Sequence, residues 1–163
     1  MSSAKNKKIR GNAPAAHTNK SVPNQRSFDE VTKYEESRFQ FSSEMIDLEV
    51  GKPHGCAWEW GPDKEIWKDL LDCLSDFSQK SWKEIEAERT GGQKRHKKHH
   101  SMDVSILHKS AQARIQKLHG DDAPDSIFRF RLSGTKRLWG FRIGAIFHIV
   151  WFDANHDVYP VDK

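Results

Sequence analysis

The chain has 163 residues, 36% hydrophobic and 31% charged, with 27 Lys and Arg against 23 Asp and Glu for a formal net charge of +4. That length suggests one domain, and two cysteines are too few for a disulfide framework. No apolar run approaches the ~20 residues that span a bilayer and no apolar stretch follows the charged start, so a cytoplasmic protein with no membrane partner is expected.

The charge is unevenly spread. Residues 1–26 carry Lys5, Lys7, Lys8, Arg10, Lys20 and Arg26 without an acid, a charge of +6, which leaves 21 bases against 23 acids, or −2, in the remainder. With Ile9 and Val22 as its only large aliphatics after Met1, this stretch cannot bury enough apolar surface to offset its ordering entropy. Residues 1–38 therefore read as a disordered basic tail, 27–38 being transitional and able to form a short helix, and residues 39–163 as a single domain. A solvated basic arm attracts polyanions, or simply keeps a terminus soluble.

A first strand is expected from Phe39 to Val50, bent near Ser42–Ser43 and stopped by Gly51–Gly55. Gly61-Pro62-Asp63 can open a helix, in which Ile66, Trp67, Leu70, Leu71, Leu74 and Phe77 recur at spacings of three and four. Ser81-Trp82-Lys83-Glu84 matches a capping box, and Trp82 and Ile85 give the short helix behind it one apolar face. Thr90-Gly91-Gly92 ends that helix. Lys94 to His100 then reads as an exposed basic loop in which Lys94, Arg95, Lys97 and Lys98 carry fixed charge, while His96, His99 and His100 gain charge only as pH falls toward ~6.5. Such a loop attracts a phosphate backbone, or is merely solvated. Asp103 or Ser105 can cap a third helix with Leu107, Ala111, Ile115 and Leu118 as its stripe, terminated by Gly120–Asp125.

The rest is dense in strand formers. Phe128, Phe130 and Leu132 alternate with Arg129 and Arg131; Ser133–Lys136 turns the chain; Trp139, Phe141 and Ile143 alternate with Leu138, Gly140 and Arg142. After a turn at Gly144-Ala145, Ile146–Phe152 is apolar on both faces and reads as a central strand. A polar turn over Asp153–Asp157 leads to Val158-Tyr159, a short edge strand closed by Pro160. Strands joined by tight turns are antiparallel neighbours, so the expected fold is α+β, with helices packed on one face of a mainly antiparallel sheet.

Two resemblances bear on this pattern. The stretch Arg137-Leu-Trp-Gly-Phe-Arg, then Phe147-His-Ile-Val-Trp-Phe-Asp153, His156 and Tyr159-Pro160, resembles the ending of a family of small bacterial or mobile-element proteins that has no established activity. The order of strand, helix, helix and closing β-meander is similar to that of the RelE/ParE toxin superfamily. That resemblance implies either an mRNA endonuclease, free or on the ribosome, or a poison of DNA gyrase, in each case with an antitoxin protein as partner. This chain departs from the superfamily in its length, its basic tail and loop, and the lack of a clear match to any one RelE catalytic set.

The meander concentrates polar groups in an apolar context. A ribonuclease working without metal or other cofactor needs a base for the 2′-hydroxyl, an acid for the leaving 5′-oxygen and cations on the phosphorane. Arg137, Arg142, His148, His156 and Tyr159 are the candidates for those roles. Arg129 and Arg131, with Lys94, Arg95, Lys97 and Lys98, are the candidates for holding RNA, because the guanidinium fork binds two phosphate oxygens. Each has a plainer alternative. Arg129 and Arg131 suit a solvated strand face, His148 a hydrogen-bonded sheet histidine, and Asp153 with His156 either an oriented imidazole or an Asx-turn. His54, Cys56, Cys73, His96, His99 and His100 do not match the paired spacing of structural zinc sites, so no metal is expected. The tryptophans read as core, although Trp58 and Trp60 straddle a loop. No P-loop, GxGxxG, HExxH or GxSxG pattern is present. The chain reads as a RelE-like ribonuclease; a non-catalytic binding module of a mobile element and a ParE-like inhibitor are the alternatives.

Overall fold

The computed structural model describes residues 34–48 and 64–159. The tail up to residue 33, the Gly51–Gly55 stop, Trp58, Trp60, His54, Cys56, the Gly61-Pro62-Asp63 helix opening and Pro160 lie outside the described residues.

The elements in chain order are β1 (Gln40–Ser42), α1 (Lys64–Ser78), α2 (Trp82–Ala87), β2 (His100–Asp103), α3 (Lys109–His119), β3 (Ser126–Arg131), β4 (Arg137–Ile143) and β5 (Ile146–Asp153), with single 3-10 turns at Val104–Ile106 and Gly120–Asp122. The strands form one five-stranded sheet in the order β1-β5-β4-β3-β2. β2, β3, β4 and β5 are successive antiparallel neighbours, whereas β1 runs parallel to β5. The fold is α+β with a mainly antiparallel sheet, and the meander over β3, β4 and β5 follows the alternation in the sequence.

Period-two alternation sorts the sheet residues onto two faces. One face carries Phe128, Phe130, Leu138, Phe147 and Ile149, which pack with Phe39, with Leu70, Leu74 and Phe77 of α1, and with Trp82 and Ile85 of α2. The other carries Ile127, Trp139, Phe141, Val150 and Trp151, covered by Leu107, Ala111 and Ile115 at and within α3, and by Val158. Helices thus cover both faces, where one-sided packing is expected from the sequence. The reason is visible in β5, whose large apolar side chains on both faces each require cover. β5 is an interior strand as its composition requires, and β4 is the middle one.

Local signals explain the elements. Ser81 Oγ accepts from Glu84 N at 3.3 Å while Ser81 N donates to Glu84 Oε2 at 2.7 Å, the reciprocal capping box. α3 is capped instead by His108, whose Nδ1 accepts from Ser110 N at 3.2 Å; Asp103 caps the preceding 3-10 turn through Ser105 N. A Cβ on Gly140 would lie 2.2 Å from the His148 carbonyl oxygen and 2.6 Å from the Phe147 ring. Only glycine lets that ring lie across β4 beside the register shift at Trp139/Gly140.

The first strand is shorter than Phe39–Val50. It ends at Ser42, whose hydroxyl accepts from Glu44 N, and the chain turns so that Asp47 reaches Arg114 and the Trp151 indole. Val158-Tyr159 forms no strand: Val158 N donates to Asp153 Oδ2 and its carbonyl accepts from His108 N, tying the segment to the start of α3. The Lys94–His100 stretch is not wholly a loop. Lys94 to Lys97 are exposed, His99 is fully buried, and His100 begins β2 on the sheet edge. The domain also extends below residue 39, since Trp82 N and Lys83 N donate to the carbonyls of Ser37 and Glu35.

Candidate anion-binding site

Arginines and histidines gather where β2 starts, β3 ends, β4 starts and β5 ends. Across that end of the sheet His100 pairs with Arg129 and Arg129 with Trp139; one step on, Arg131 pairs with Arg137 and Arg137 with Asp153. The register places all of these side chains on the face shared with α3. The loop after β5 brings His156 and Tyr159 over the same end, their ring centroids 6.5 Å apart.

Three guanidinium groups here have no ion-pair partner among the described residues. Among the described Lys and Arg that are not fully exposed, Lys80 and Lys98 bind Glu88, Arg114 binds Asp47, Lys136 binds Asp69 and Arg142 binds Glu86. Arg129, Arg131 and Arg137 alone in that class have no carboxylate within ion-pair distance among the described residues. Arg137 is 6% exposed, and its Nη1 donates only to the Gly134 and Lys136 carbonyls, at 2.9 and 2.8 Å. Buried cations without counter-charge are costly, because neither water nor an acid replaces the lost hydration.

Asp153 does not fill that role. Fully buried opposite Arg137, it accepts from Asp157 N at 2.9 Å, Val158 N at 3.1 Å and Trp139 Nε1 at 3.3 Å. It anchors the loop through backbone groups four and five residues on, which is neither the i to i+2 bond of an Asx-turn nor the oriented imidazole, since no hydrogen bond joins it to the His156 ring. It holds His156 at φ +67°, a left-handed conformation uncommon outside glycine.

The electrostatics follow from this crowding. Burial, then Arg129 and Arg131, push the Arg137 guanidinium down to about 10, against a smaller upward pull from Asp153. Burial and then Arg131 lower Arg129. Burial, then Arg137, lower His156, and burial followed by Arg129 lowers His100, so both imidazoles are neutral at neutral pH. Four buried nitrogens here have no hydrogen-bond partner: Arg129 Nε, Arg137 Nε, His100 Nδ1 and His156 Nδ1. Guanidinium Nε–H groups with no acceptor among the described residues, beside neutral imidazoles, form a site complementary to an oxyanion.

The sequence-derived candidates divide accordingly. Arg129, Arg131, Arg137, His156 and Tyr159 come together. Arg142 does not: five residues from Arg137 on one strand, it emerges on the opposite face. Its Nη1 lies 2.7 Å from Glu86 Oε1, and its guanidinium 4.1 Å from the Trp82 ring centroid. His148 pairs with Phe141, about 13 Å along β4 from Arg137 at ~3.3 Å per residue. Its buried Nδ1 has no partner, yet it lies apart from the cluster. Lys98 is bound to Glu88, while exposed Lys97 is near enough to lower His100. Lys94 and Arg95 are exposed on the same loop.

His100 and His99 have structural positions the basic run conceals. His99 is fully buried, its Nδ1 accepting from Arg131 N at 3.2 Å and its Nε2–H donating to Glu88 Oε2 at 3.2 Å. Burial pushes the imidazole down to about 4 although Glu88 pulls the other way, so it is neutral. Burial would raise the Glu88 carboxyl, but hydrogen bonds from Lys80, Lys98 and His99 outweigh it and bring it down to about 2. The pair fixes the backbone from which Arg131 projects.

No protein-family model, curated protein or solved structure matches the chain. Among the described residues, no helix is long and apolar enough to cross a membrane, and no group of three or more His, Cys, Asp or Glu is placed to hold a metal ion.

Proposed function

We propose that the protein binds RNA at the Arg129–Arg131–Arg137 cluster and cleaves it as a toxin-like endoribonuclease of the cytoplasm that uses side chains alone. The observation that carries this reading is that, among the described residues, these arginines lack carboxylate partners while every other cation that is not fully exposed has one. In the proposed reaction the neutral His156 imidazole takes the proton of a ribose 2′-hydroxyl, whose oxygen forms a bond to phosphorus as the P–O5′ bond breaks. Tyr159 supplies the proton to the departing 5′-oxygen. The products are a 2′,3′-cyclic phosphate and a 5′-hydroxyl, and the guanidinium groups neutralise the phosphorane between them. The substrate is free or ribosome-bound RNA, and the RelE-like resemblance adds an antitoxin protein as partner.

The test is incubation of purified protein with RNA in excess chelator. Cleavage leaving cyclic-phosphate and 5′-hydroxyl ends, lost in Arg137→Gln and His156→Asn, is the expected result; intact RNA refutes the catalytic reading. One observation favours a second reading, a binding module without chemistry: among the described residues no carboxylate is hydrogen-bonded to His156 to orient it. Salt-sensitive RNA binding with no cleavage would support that reading. Growth arrest with intact RNA would indicate a ParE-like inhibitor.

A further inference from the structure

Arg131 and Arg137 are directly opposed, and Arg129 is the next residue on the same face of β3. Opposed positions stand ~4.5–5.5 Å apart at Cβ and diagonal ones ~7–8 Å, so these guanidinium groups spring from one small patch. Like charges in opposed positions destabilise a sheet, and here burial adds to the penalty. A surface that follows a nucleic-acid strand spaces its cations along a groove, one phosphate after another. This patch concentrates them on one point, beside the unpartnered Nε groups of Arg129 and Arg137.

The charge therefore exceeds what one internal phosphodiester needs. A diester carries one negative charge and two free oxygens, whereas a phosphate monoester carries about −1.5 to −2 at pH 7 and three strong acceptor oxygens. Tyr159 adds a ring at the rim on which a terminal base can stack. We infer that the cluster is a recognition site for a phosphate monoester at an RNA end, preferred over an internal phosphodiester. This rests on the reading that the ligand is RNA, and adds that the arginines which that reading sets around a scissile diester hold a terminal monoester more tightly. Arg137 and Arg129 hold the phosphate oxygens, and Arg131, held by His99 through its backbone, completes the set.

The experiment uses the full chain and short 2′-O-methyl oligoribonucleotides of one sequence, which cannot be cleaved. They carry hydroxyls at both ends, a 5′-phosphate or a 3′-phosphate, and binding is followed by fluorescence anisotropy at fixed salt. One of the phosphorylated forms is expected to bind about tenfold or more tighter than the doubly hydroxylated one, as for one added set of charge-assisted hydrogen bonds. Arg137→Gln and Arg131→Ala lose that gain, and Arg142→Gln keeps it. Equal binding of all forms overturns the inference while leaving the proposed cleavage intact if unmodified RNA is still cut. A gain for one end without cleavage of unmodified RNA sustains the inference and refutes the nuclease. A phosphoserine peptide bound as tightly as the phosphorylated oligonucleotides would move the ligand out of RNA and overturn both.

Discussion

Arg137 and Arg142 lie five residues apart on β4, yet they inhabit opposite environments. Arg142 emerges into the α1/α2 face, among Trp82, Phe128 and Phe147, where Glu86 and the Trp82 ring take up its charge. Arg137 emerges on the α3 face, at the end where apolar cover gives way to Arg129, Arg131, His100 and His156. Among the described residues the one acid that faces it is a buried aspartate already committed to its own loop. The difference lies in what the opposite face supplies, since residue type and strand are the same. One arginine stabilises the fold; the other is held at the expense of stability, as groups arranged for a ligand are.

The largest expected effect tests the dry face. Trp82 is fully buried against Phe39, Phe128 and Phe130, and its indole donates to the Ala145 carbonyl at 2.7 Å. Trp82→Ala should destabilise by about 3–5 kcal/mol, read from urea unfolding.

Acid comes next. His99 is held near 4 against 6.5 in the unfolded chain, so between those values the unfolded state binds more protons and stability falls as pH drops. The loss should approach roughly 3 kcal/mol by pH 4, and Glu88, held near 2 against 4.5, extends the decline further into acid. His99→Gln should flatten the upper part of that slope; an unchanged slope would mean that His99 is not the group titrating.

Arg142→Ala should cost about 2 kcal/mol by leaving Glu86 and the Trp82 ring uncovered, with RNA affinity unchanged in a filter-binding assay. The smallest stability effect belongs to the other side of the comparison. Arg137→Gln keeps most of the buried stem and relieves a like-charge contact, so it should alter stability by less than about 1 kcal/mol while weakening RNA binding. If Arg137→Gln unfolds the protein and Arg142→Ala abolishes binding, the roles assigned to the two arginines are reversed.

Much of the fold was legible because its signals are local. The α1 stripe, the Ser81–Glu84 capping box and the alternation through β3 and β4 each follow from side-chain spacing within one element. Parts of the site were legible too: Arg129, Arg131, Arg137, His156 and Tyr159 were all recognisable as polar groups in an apolar meander. Even the separation of Arg137 from Arg142 was available, since an odd spacing on a strand reverses the face. The edge strand β2 was hidden because His-Ser-Met-Asp closes a run of basic residues and has little of a strand's composition. His99 was hidden with it: its burial depends on Glu88 and Arg131 N, neither of which is near it in sequence.

What the sequence determined by itself, then, is the helical stripes, the antiparallel meander over β3, β4 and β5 and the polarity of those strands, because helix and strand periods are properties of consecutive residues. The tertiary structure alone decided that β1 joins β5 in parallel, that α3 covers the second face, and that among the described residues Arg129, Arg131 and Arg137 meet without an ion-pair partner while Arg142 finds one. Those outcomes depend on cross-strand register and on which distant side chains fill the space opposite, and neither is encoded in spacing along the chain.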